Sequence, residues 1–296
     1  MIIKSKKRSI IPISDPIFIE KKIEVTIQID DSIYDECSGN KWWKLKYNIL
    51  KAKQNNFNKI LTFGGAYSNH IVATSWAAKE SGLKSIGIIR GEELIGDNPS
   101  LQRAKKNGME LHFVDRITYR KKDEINWQKQ FGSCFIVPEG GTNKLAVKGC
   151  EEFLVTTDFD YVCCSVGTGG TISGIINSIS DQQSAIGFSA LKNGYFLEDE
   201  IKKYVSSSNW SLNHDFHFNG YAKMNKKLVD FMNNFKKKYA ITLDPVYTSK
   251  LFYGVFKLIE ESYFKEYSKV LIVHTGGLQS IEGMNLSLKS KKWFIE

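Results

Sequence analysis

The sequence predicts an α/β fold in which mostly parallel strands alternate with helices. From residue 59 onward, short apolar runs alternate with helix-like stretches, and several of the runs end in glycine-rich turns. Parallel strands need crossover connections, which are usually helices, so this alternation is typical of a parallel sheet. No proline-, glycine- or serine-rich linker divides the 296 residues into consecutive halves. Any second domain is therefore expected to be an insertion.

The predicted elements follow one another in a regular order. Apolar runs that predict strands cover residues 60–63, 85–90, 111–114, 134–137, 161–166 and 270–274. Between them, helices are predicted up to about residue 81, over about 100–106 and from about 171. A further helix is predicted over 225–239, because its apolar residues recur at helical spacing and its lysines lie mostly off that stripe.

The composition excludes several classes of protein. With 42% hydrophobic and 25% charged residues, the chain is an ordinary globular protein. The net charge of +9 would suit nucleic acid, but the basic residues are scattered, so we expect no nucleic-acid partner. The longest uncharged run, residues 161–180, holds four glycines and four serines and divides into strand, loop and helix. We therefore expect no membrane partner.

The cysteines and the N-terminal segment indicate the compartment. The five cysteines are odd in number and show no metal-binding or C-x-x-C spacing. The basic N-terminus is followed by an apolar stretch that Pro12 interrupts, so no secretory signal core is predicted. A reducing cytoplasm is the expected location. Cys163 and Cys164 lie in an apolar run and are predicted to pack in the core.

A metal site is not expected. His214 and His217 could share a helical face as ligands, but Phe216 and Phe218 flank His217 in a strand-like alternation. No third ligand is visible near them in the sequence.

The most informative loop follows the predicted strand 161–166. It comprises Gly167, Thr168, Gly169, Gly170 and Thr171 and opens a predicted helix. Glycines let the backbone approach an anion, and a helix N-terminus offers free N–H groups. The loop is neither a Walker A loop nor a clean dinucleotide fingerprint, so it predicts a phosphate cradle of another kind. A purely structural glycine turn is the alternative.

A second junction of strand, glycines and helix covers residues 62–70. Ser68 and Asn69 stand at helix N-cap positions and His70 follows. Simple capping is one interpretation. The other is an anion or carboxylate pocket that faces the first loop, since ligands of parallel sheets bind at the carboxyl ends of the strands.

Lys41 follows Ser-Gly-Asn and precedes two tryptophans. Taken alone, it would be interpreted as a surface lysine. Together with a phosphate cradle that lacks a nucleotide motif and a Ser-Asn turn, it suggests a phosphorylated aldehyde cofactor held as a Schiff base.

These motifs resemble one family. The order S-G-N-K, G-G-x-x-S-N-H, G-T-G-G-T, D-P-V-Y and H-T-G-G is similar to that of the pyridoxal-phosphate (PLP) enzymes of the 1-aminocyclopropane-1-carboxylate (ACC) deaminase and D-cysteine desulfhydrase family, in the tryptophan synthase β-subunit fold group (fold type II). The resemblance runs from about residue 38 to near the C-terminus. It implies two open, twisted, mostly parallel sheets with helices on both faces, and a homodimer. It also implies a large PLP-binding domain of residues 1–45 plus 154–296 and a small inserted domain of residues 46–153.

The resemblance also implies residue roles. Lys41 would hold the cofactor aldehyde and, once released, move the substrate α-proton. Asn69 would hydrogen-bond the ring hydroxyl, and the loop 167–171 would hold the phosphate. Ser68 would meet the substrate carboxylate or act near the reacting carbon, and Tyr247 would stand over the ring as an acid/base or positioning group.

Other positions bear on the substrate. Asn69 and His70 also belong to the implied substrate pocket, whereas Tyr67 replaces the glutamine of the best-known members. Within the family, the ACC deaminases carry Glu directly after the motif tyrosine and Leu directly before the last Gly-Gly. Here these positions are Thr248 and Thr275, hydroxyl residues as in the desulfhydrases, and Thr275 is expected beside the cofactor.

The chain is therefore expected to be a PLP-dependent enzyme that acts on a small amino acid. Elimination from D-cysteine to pyruvate, ammonia and sulfide is the first expectation. ACC deamination to 2-oxobutyrate and ammonia is the alternative, and a catalytically silent protein that binds PLP or an amino acid is the second alternative.

Overall fold

The computed structural model describes residues 8–30, 36–92 and 98–296. The basic residues before Arg8, which bear on the expected absence of a signal sequence, lie outside these ranges. The strands of the described residues are β1 (Arg8–Ile13), β2 (Glu24–Asp30), β3 (Lys59–Gly65), β4 (Lys84–Arg90), β5 (Met109–Val114), β6 (Phe135–Val137), β7 (Tyr161–Val166), β8 (Ser184–Ser189), β9 (Trp210–Asn213) and β10 (Lys269–Val273).

Helices connect these strands. They are α1 (Pro16–Glu20), α2 (Asn40–Gln54), α3 (Asn69–Glu80), α4 (Pro99–Lys106), α5 (Arg116–Arg120), α6 (Trp127–Phe131), α7 (Lys144–Cys150), α8 (Gly170–Ser178), α9 (Phe196–Lys202), α10 (Lys226–Tyr239), α11 (Thr248–Glu260) and α12 (Ser280–Leu288). Short 3₁₀ turns cover Glu139–Gly141 and Lys289–Lys291.

The strands form two sheets, as predicted. The larger sheet has the order β1-β2-β10-β7-β8-β9, and β1 is its one antiparallel member. The smaller sheet has the order β5-β4-β3-β6 and is parallel throughout. The smaller sheet comes from one continuous stretch, residues 59–137, whereas the larger sheet takes its strands from both sides of that stretch.

Helices cover both faces of the larger sheet, which explains its apolar central strands. Along β7, Val162 and Cys164 pack in the core cluster that includes α8, while Cys163 packs in the opposite cluster with α11. Successive side chains of a strand point to opposite faces, so a strand covered on both sides must be apolar throughout. The prediction that Cys163 and Cys164 belong to the core is confirmed, and all five cysteines are free and buried.

The predicted strands are all present, with ends that differ by at most two residues, and the helix predicted over 225–239 is α10. The strand-like interpretation of the segment around His217 is wrong. Strand β9 ends at Asn213, and Phe218 and Asn219 adopt positive φ angles of 51° and 69°, which turn the chain away from an extended path. The expected domain boundary between residues 45 and 46 falls inside α2, which continues without interruption to Gln54.

No helix in the described ranges is both long enough and apolar enough to cross a membrane.

Candidate active site

One cavity of about 870 Å³ is lined by the residues that the sequence predicts to be catalytic or to bind the cofactor or the substrate. Its walls come from the carboxyl ends of strands in both sheets and from the start of α2, as expected for ligand sites in parallel sheets. The predicted residues that line it are Lys41, Ser68, Asn69, His70, Gly167, Thr168, Gly169, Gly170, Thr171, Tyr247 and Thr275.

Lys41 lies on the first turn of α2. The turn before it depends on Gly39, which has φ +57° and whose Cβ, if present, would overlap the carbonyl group of Thr275. The Nζ atom of Lys41 donates to Oδ1 of Asn40 at 3.0 Å. Burial lowers the pKa of Lys41, since no carboxylate ion pair compensates for the lost water among the described residues. A lysine in this state has access to its neutral form.

Lys44 is a second lysine in the cavity, and it lies one turn after Lys41. It is 3% exposed, and its Nζ donates to the carbonyl oxygen of Gly140 at 2.5 Å, to Oγ1 of Thr142 at 2.9 Å and to Oγ1 of Thr168 at 3.2 Å. Burial, followed by the charge of Lys41, lowers the pKa of Lys44 to about 7. Lys44 was not among the predicted site residues. Its i, i+3 spacing from Lys41 places both lysines on one face of α2, and this spacing is the signal that could have identified it.

The glycine loop after β7 has the features of an anion site. Gly169, at the N-cap of α8, has φ +80°, and no side chain caps the helix. A Cβ at Gly170 would lie 2.7 Å from Oγ1 of Thr142 and 3.0 Å from Cε of Lys44, so only glycine leaves this space free. One space is therefore surrounded by the N–H groups of α8, the buried Lys44 and the hydroxyl groups of Thr142 and Thr168.

The second loop, between β3 and α3, is capped by a side chain. Ser68 Oγ accepts from the backbone N–H of Ile71 at 3.4 Å, a long cap bond. Asn69 is 8% exposed, and its Oδ1 is buried with no hydrogen-bond partner among the described residues. Buried acceptors are normally satisfied, so this oxygen points to a ligand that donates to it.

His70 is held in one tautomer. Thr62 Oγ1 donates to the carbonyl oxygen of Val137 at 2.9 Å and lies 2.8 Å from Nε2 of His70. Because a hydroxyl group has one hydrogen, Nε2 of His70 must donate, which leaves Nδ1 as an acceptor. That Nδ1 is buried with no partner among the described residues. Burial, with the charges of Lys44 and Lys41, lowers the pKa of His70 well below its usual value, so the ring is neutral.

Tyr247 stands at the N-terminus of α11, where Asp244 fixes the backbone. The carboxylate of Asp244 accepts from the N–H groups of Val246 and Tyr247 at 2.9 Å each and of Thr248 at 2.7 Å. A Cβ at Gly167 would lie 2.9 Å from the ring of Tyr247, so the tyrosine covers the glycine loop. Burial, and then the neighbouring Tyr221, raise the pKa of Tyr247 well above its usual value, which keeps its hydroxyl protonated.

Tyr221, likewise not among the predicted site residues, lines the cavity beside Tyr247. Its ring meets that of Tyr247 edge to face, with 6.0 Å between centroids. The adjacent Gly220 accepts from Nζ of the buried Lys250 at 2.7 Å, which ties this loop to α11. No local pattern marks Tyr221, since it lies in a turn far from the other motifs in sequence.

The two threonines compared in the sequence analysis differ in position. Thr275 lines the cavity, and its Oγ1 lies 3.2 Å from Oγ of Ser165. Thr248 is fully buried, does not line the cavity, and accepts from the N–H of Asp244 at 2.7 Å as part of the helix cap. Within the described ranges, no group of three or more His, Cys, Asp or Glu residues could hold a metal ion.

The cavity thus combines a buried lysine, an anion-binding loop and several polar side chains. The match of this chain to a known protein family agrees with this combination. The model of the family "pyridoxal-phosphate dependent enzyme" matches residues 30–276. The chain belongs to this family. It is a PLP-dependent enzyme.

Relatives cover most of the chain. A Thermotoga maritima protein named putative 1-aminocyclopropane-1-carboxylate deaminase is 30% identical to this chain, in an alignment that covers 86% of this chain and 88% of the relative. A mitochondrial Arabidopsis thaliana protein, named bifunctional D-cysteine desulfhydrase/ACC deaminase, is 26% identical over 86% of this chain and 72% of its own length. A crystal structure described as an ACC deaminase homologue has a TM-score of 0.80 and 25% identity, with coverage of 98% of this chain and 94% of that one.

A more distant structure shows the fold alone. The O-acetylserine-dependent cystathionine β-synthase of Helicobacter pylori has a TM-score of 0.70 at 11% identity, and 95% of each chain is covered. The predicted fold, two mostly parallel sheets with helices, is therefore confirmed as that of the PLP enzymes of this group.

The residues of the cavity fit PLP. The cofactor needs an amine for its aldehyde, positive groups for its phosphate and polar partners for its ring. In this cavity Lys41 would suit the first, Lys44 and the uncapped α8 terminus the second, and Oδ1 of Asn69, which has no partner among the described residues, the third.

Proposed function

We propose that the enzyme removes the β-substituent and the amino group of a small amino acid, in the manner of a D-cysteine desulfhydrase. The observation that carries this proposal is the joint placement, in one cavity, of a lysine with a lowered pKa, an uncapped helix N-terminus and a protonated tyrosine. The relatives named for D-cysteine desulfhydrase and ACC deaminase support the same class of reaction.

The first step of the proposal concerns what holds the cofactor. Lys41 would bind the aldehyde through Nζ. The phosphate would be bound by Lys44, Thr168, Thr171 and the N–H groups of α8, and the ring hydroxyl would be bound by Asn69. When bound, PLP supplies an electron sink that stabilises negative charge at the α-carbon of the substrate.

Lys41 then acts as the base. When it is not bonded to the cofactor, the Nζ atom of Lys41 would be free to accept the α-proton of the substrate. An ordinary lysine is almost wholly protonated at pH 7 and accepts no proton. Burial lowers the pKa of Lys41 and raises its neutral fraction, which suits a general base.

The second loop holds the substrate. The N-terminus of α3, with Ser68 and Asn69, is placed to bind the α-carboxylate, because N–H groups and the helix dipole attract anions there. The neutral Nδ1 of His70 offers an acceptor at the same wall. Tyr247, which stays protonated, donates its proton or a hydrogen bond to the departing group.

The choice of elimination over ring opening rests on the wall formed by Thr275 and Ser165, which are hydroxyl residues and not carboxylates. A carboxylate beside the pyridine nitrogen would keep that nitrogen protonated and strengthen the electron sink, which an unactivated cyclopropane needs. Here Thr275 and Ser165 place two hydroxyl groups at this wall. The weaker sink that results suits a β-carbon with a good leaving group such as sulfide. ACC is the second candidate substrate, on the strength of the names of the relatives.

Three further proposals accompany this one. The enzyme works as a homodimer, as its resemblance implies, and light scattering of the purified protein tests this. It works in a reducing compartment such as the cytoplasm, as its five free cysteines suggest. Its small domain corresponds to residues 46–153, which is supported by the origin of the four-stranded sheet within 59–137.

The direct experiment compares D-cysteine, L-cysteine and ACC as substrates of the purified holoenzyme. We expect pyruvate and sulfide from D-cysteine and little 2-oxobutyrate from ACC. Robust 2-oxobutyrate without sulfide would reverse the choice between the two substrates. Bound PLP without turnover of any amino acid would favour a silent binding protein.

A further inference from the structure

Arg90 lies at the mouth of the active-site cavity. It ends β4, where it pairs in register with Gly65 at the end of β3. Its Nη2 is 3.4 Å from the position that a Cβ on Gly65 would take, three residues before Ser68. Its guanidinium also lies over the ring of Tyr119, 5.6 Å from the centroid. The side chain is therefore held beside the substrate loop while its outer part remains exposed.

The other charged residues of the cavity have partners. Lys122 lies 3.4 Å from a carboxylate oxygen of Glu139 and 3.7 Å from one of Asp123. The carboxylate of Glu200 pairs with Lys203 at 2.6 Å. Among the described residues, Arg90 has no carboxylate within ion-pair distance.

The proposed function gives roles to two other basic residues of the cavity but gives none to Arg90. Lys41 is assigned to the cofactor aldehyde and Lys44 to its phosphate. An arginine that lines a cavity, has no ion-pair partner among the described residues and is fixed by an aromatic ring on one side is preorganised for an anionic ligand. Its planar fork of donors matches a carboxylate in two parallel hydrogen bonds.

We propose that Arg90 binds an anionic group on the side chain of the substrate, so that the preferred substrate is an amino acid with a carboxylate beyond its β-substituent. This inference rests on the proposed function. The α-carboxylate is assigned to the α3 terminus, where Asn69 and His70 are buried. Arg90 belongs instead to the rim with Tyr67 and Tyr221, which are 47% and 42% exposed.

At this position, Arg90 would contact the leaving group of the substrate and not the reacting carbon atoms. In the elimination, Lys41 would take the α-proton and the electron pair of that C–H bond would form the Cα–Cβ double bond. The bond from Cβ to the leaving atom would break, and the leaving atom would keep the electron pair and take up a proton. One water molecule would then convert the remaining enamine to pyruvate and ammonia. A leaving thiol that carries a carboxylate would reach toward Arg90, whereas D-cysteine would leave this position empty. Arg90 would then decide which leaving groups are preferred, without taking part in the bond changes.

The test uses an isosteric pair of ligands on the holoenzyme. S-carboxymethylcysteine and S-carbamoylmethylcysteine differ only in a carboxylate against an amide, and each enantiomer is tested. The acid and one water would give pyruvate, ammonia and mercaptoacetate. Pyruvate formation gives kcat/KM, and the change in cofactor absorbance on titration gives Kd even where turnover is slow.

We expect the wild-type enzyme to prefer the acid by about tenfold, as one charge-assisted contact supplies. Arg90→Gln should abolish the preference and Arg90→Lys should keep part of it. Arg116→Gln, an exposed change on α5, is the matched control and should leave the preference intact. Equal affinity for the two ligands, an amide preference, or an equal loss for both in Arg90→Gln would overturn the inference.

Turnover of β-chloroalanine, which has no anionic side-chain group, tests the proposed function separately. If the wild-type enzyme forms pyruvate from β-chloroalanine and the variant does too, the function stands whatever the fate of Arg90. If the wild-type enzyme forms none, the proposed function itself is wrong.

Discussion

Two loops of the cavity have the same construction and different helix caps. Each follows a parallel strand, contains glycines and begins a helix, β7 to α8 in one and β3 to α3 in the other. Gly169 caps α8 and leaves its N–H groups free, whereas Ser68 accepts one N–H of α3 through a long bond of 3.4 Å. The difference indicates that the two loops bind different groups, the cofactor phosphate in one and the substrate in the other. A glycine cap suits an anion that stays bound, and a serine cap suits a ligand that comes and goes while a hydroxyl group takes part in the reaction.

The largest expected effect of breaking this division is on turnover. Ser68→Ala should lower kcat/KM for D-cysteine about 100-fold, as expected for loss of a group that acts at the reacting substrate. The Kd for PLP should stay within about twofold, because Ser68 does not belong to the phosphate loop. Ser68→Thr, which keeps the hydroxyl, is the control. An equal loss of cofactor affinity would mean that the two loops do not differ in function.

A pair of glycine substitutions breaks the comparison on the other side. Gly170→Ala places a methyl group against Thr142 and Lys44, and we expect the Kd for PLP to rise about 30-fold while kcat at saturating PLP changes little. Gly65→Ala, in the second loop, meets only Nη2 of Arg90 at 3.4 Å and should leave the Kd within about twofold. Both values come from titration of apoprotein with PLP. Similar effects of the two variants would contradict the assignment of the phosphate.

Lys44, the buried lysine that contacts the phosphate loop, should make the stability of the apoprotein depend on pH, and the second loop has no such lysine among the residues described above. The pKa of Lys44 is lowered to about 7, so between pH 7 and 10.5 the unfolded chain binds more protons than the folded apoprotein. The free energy of unfolding of the apoprotein should therefore rise with pH in this window. Lys44→Met should remove about 1 kcal/mol of that rise between pH 7 and 8.

Denaturant titrations of both apoproteins at the two pH values measure this difference, and Lys51→Met on the exposed face of α2 is the control. An unchanged rise in Lys44→Met would show that Lys44 is not the group that titrates.

The sequence predicted the strand–loop–helix junctions because each one has a local cause. Glycines and hydroxyl residues after an apolar run mark such junctions, which is why the loops after β3 and β7 were found together with Ser68 and Gly167. Strands β1, β2, β8 and β9 were not predicted. β1 is a sheet edge that contains Pro12, and β9 has only four residues, so neither shows a clear apolar run.

Residues that join the site through tertiary contact could not be found locally. In the sequence, Lys44 is one lysine among many, and only the folded helix α2 brings it against Thr168. Tyr221 reaches the site through tertiary contacts, which include its ring contact with Tyr247 and the bond of Lys250 to Gly220. Arg90 looked like the polar end of a strand. Its partners in the fold decide its chemistry.

The most direct test of the account asks which lysine carries the cofactor. The holoenzyme is reduced with borohydride, digested with trypsin and analysed by tandem mass spectrometry. A pyridoxyl group on Lys41 blocks cleavage there and should appear on a peptide of residues 23–44. A pyridoxyl group on Lys44 would appear instead on a peptide of residues 42–46. That result would show that Lys44, and not Lys41, binds the aldehyde, and it would contradict the roles proposed for the two lysines.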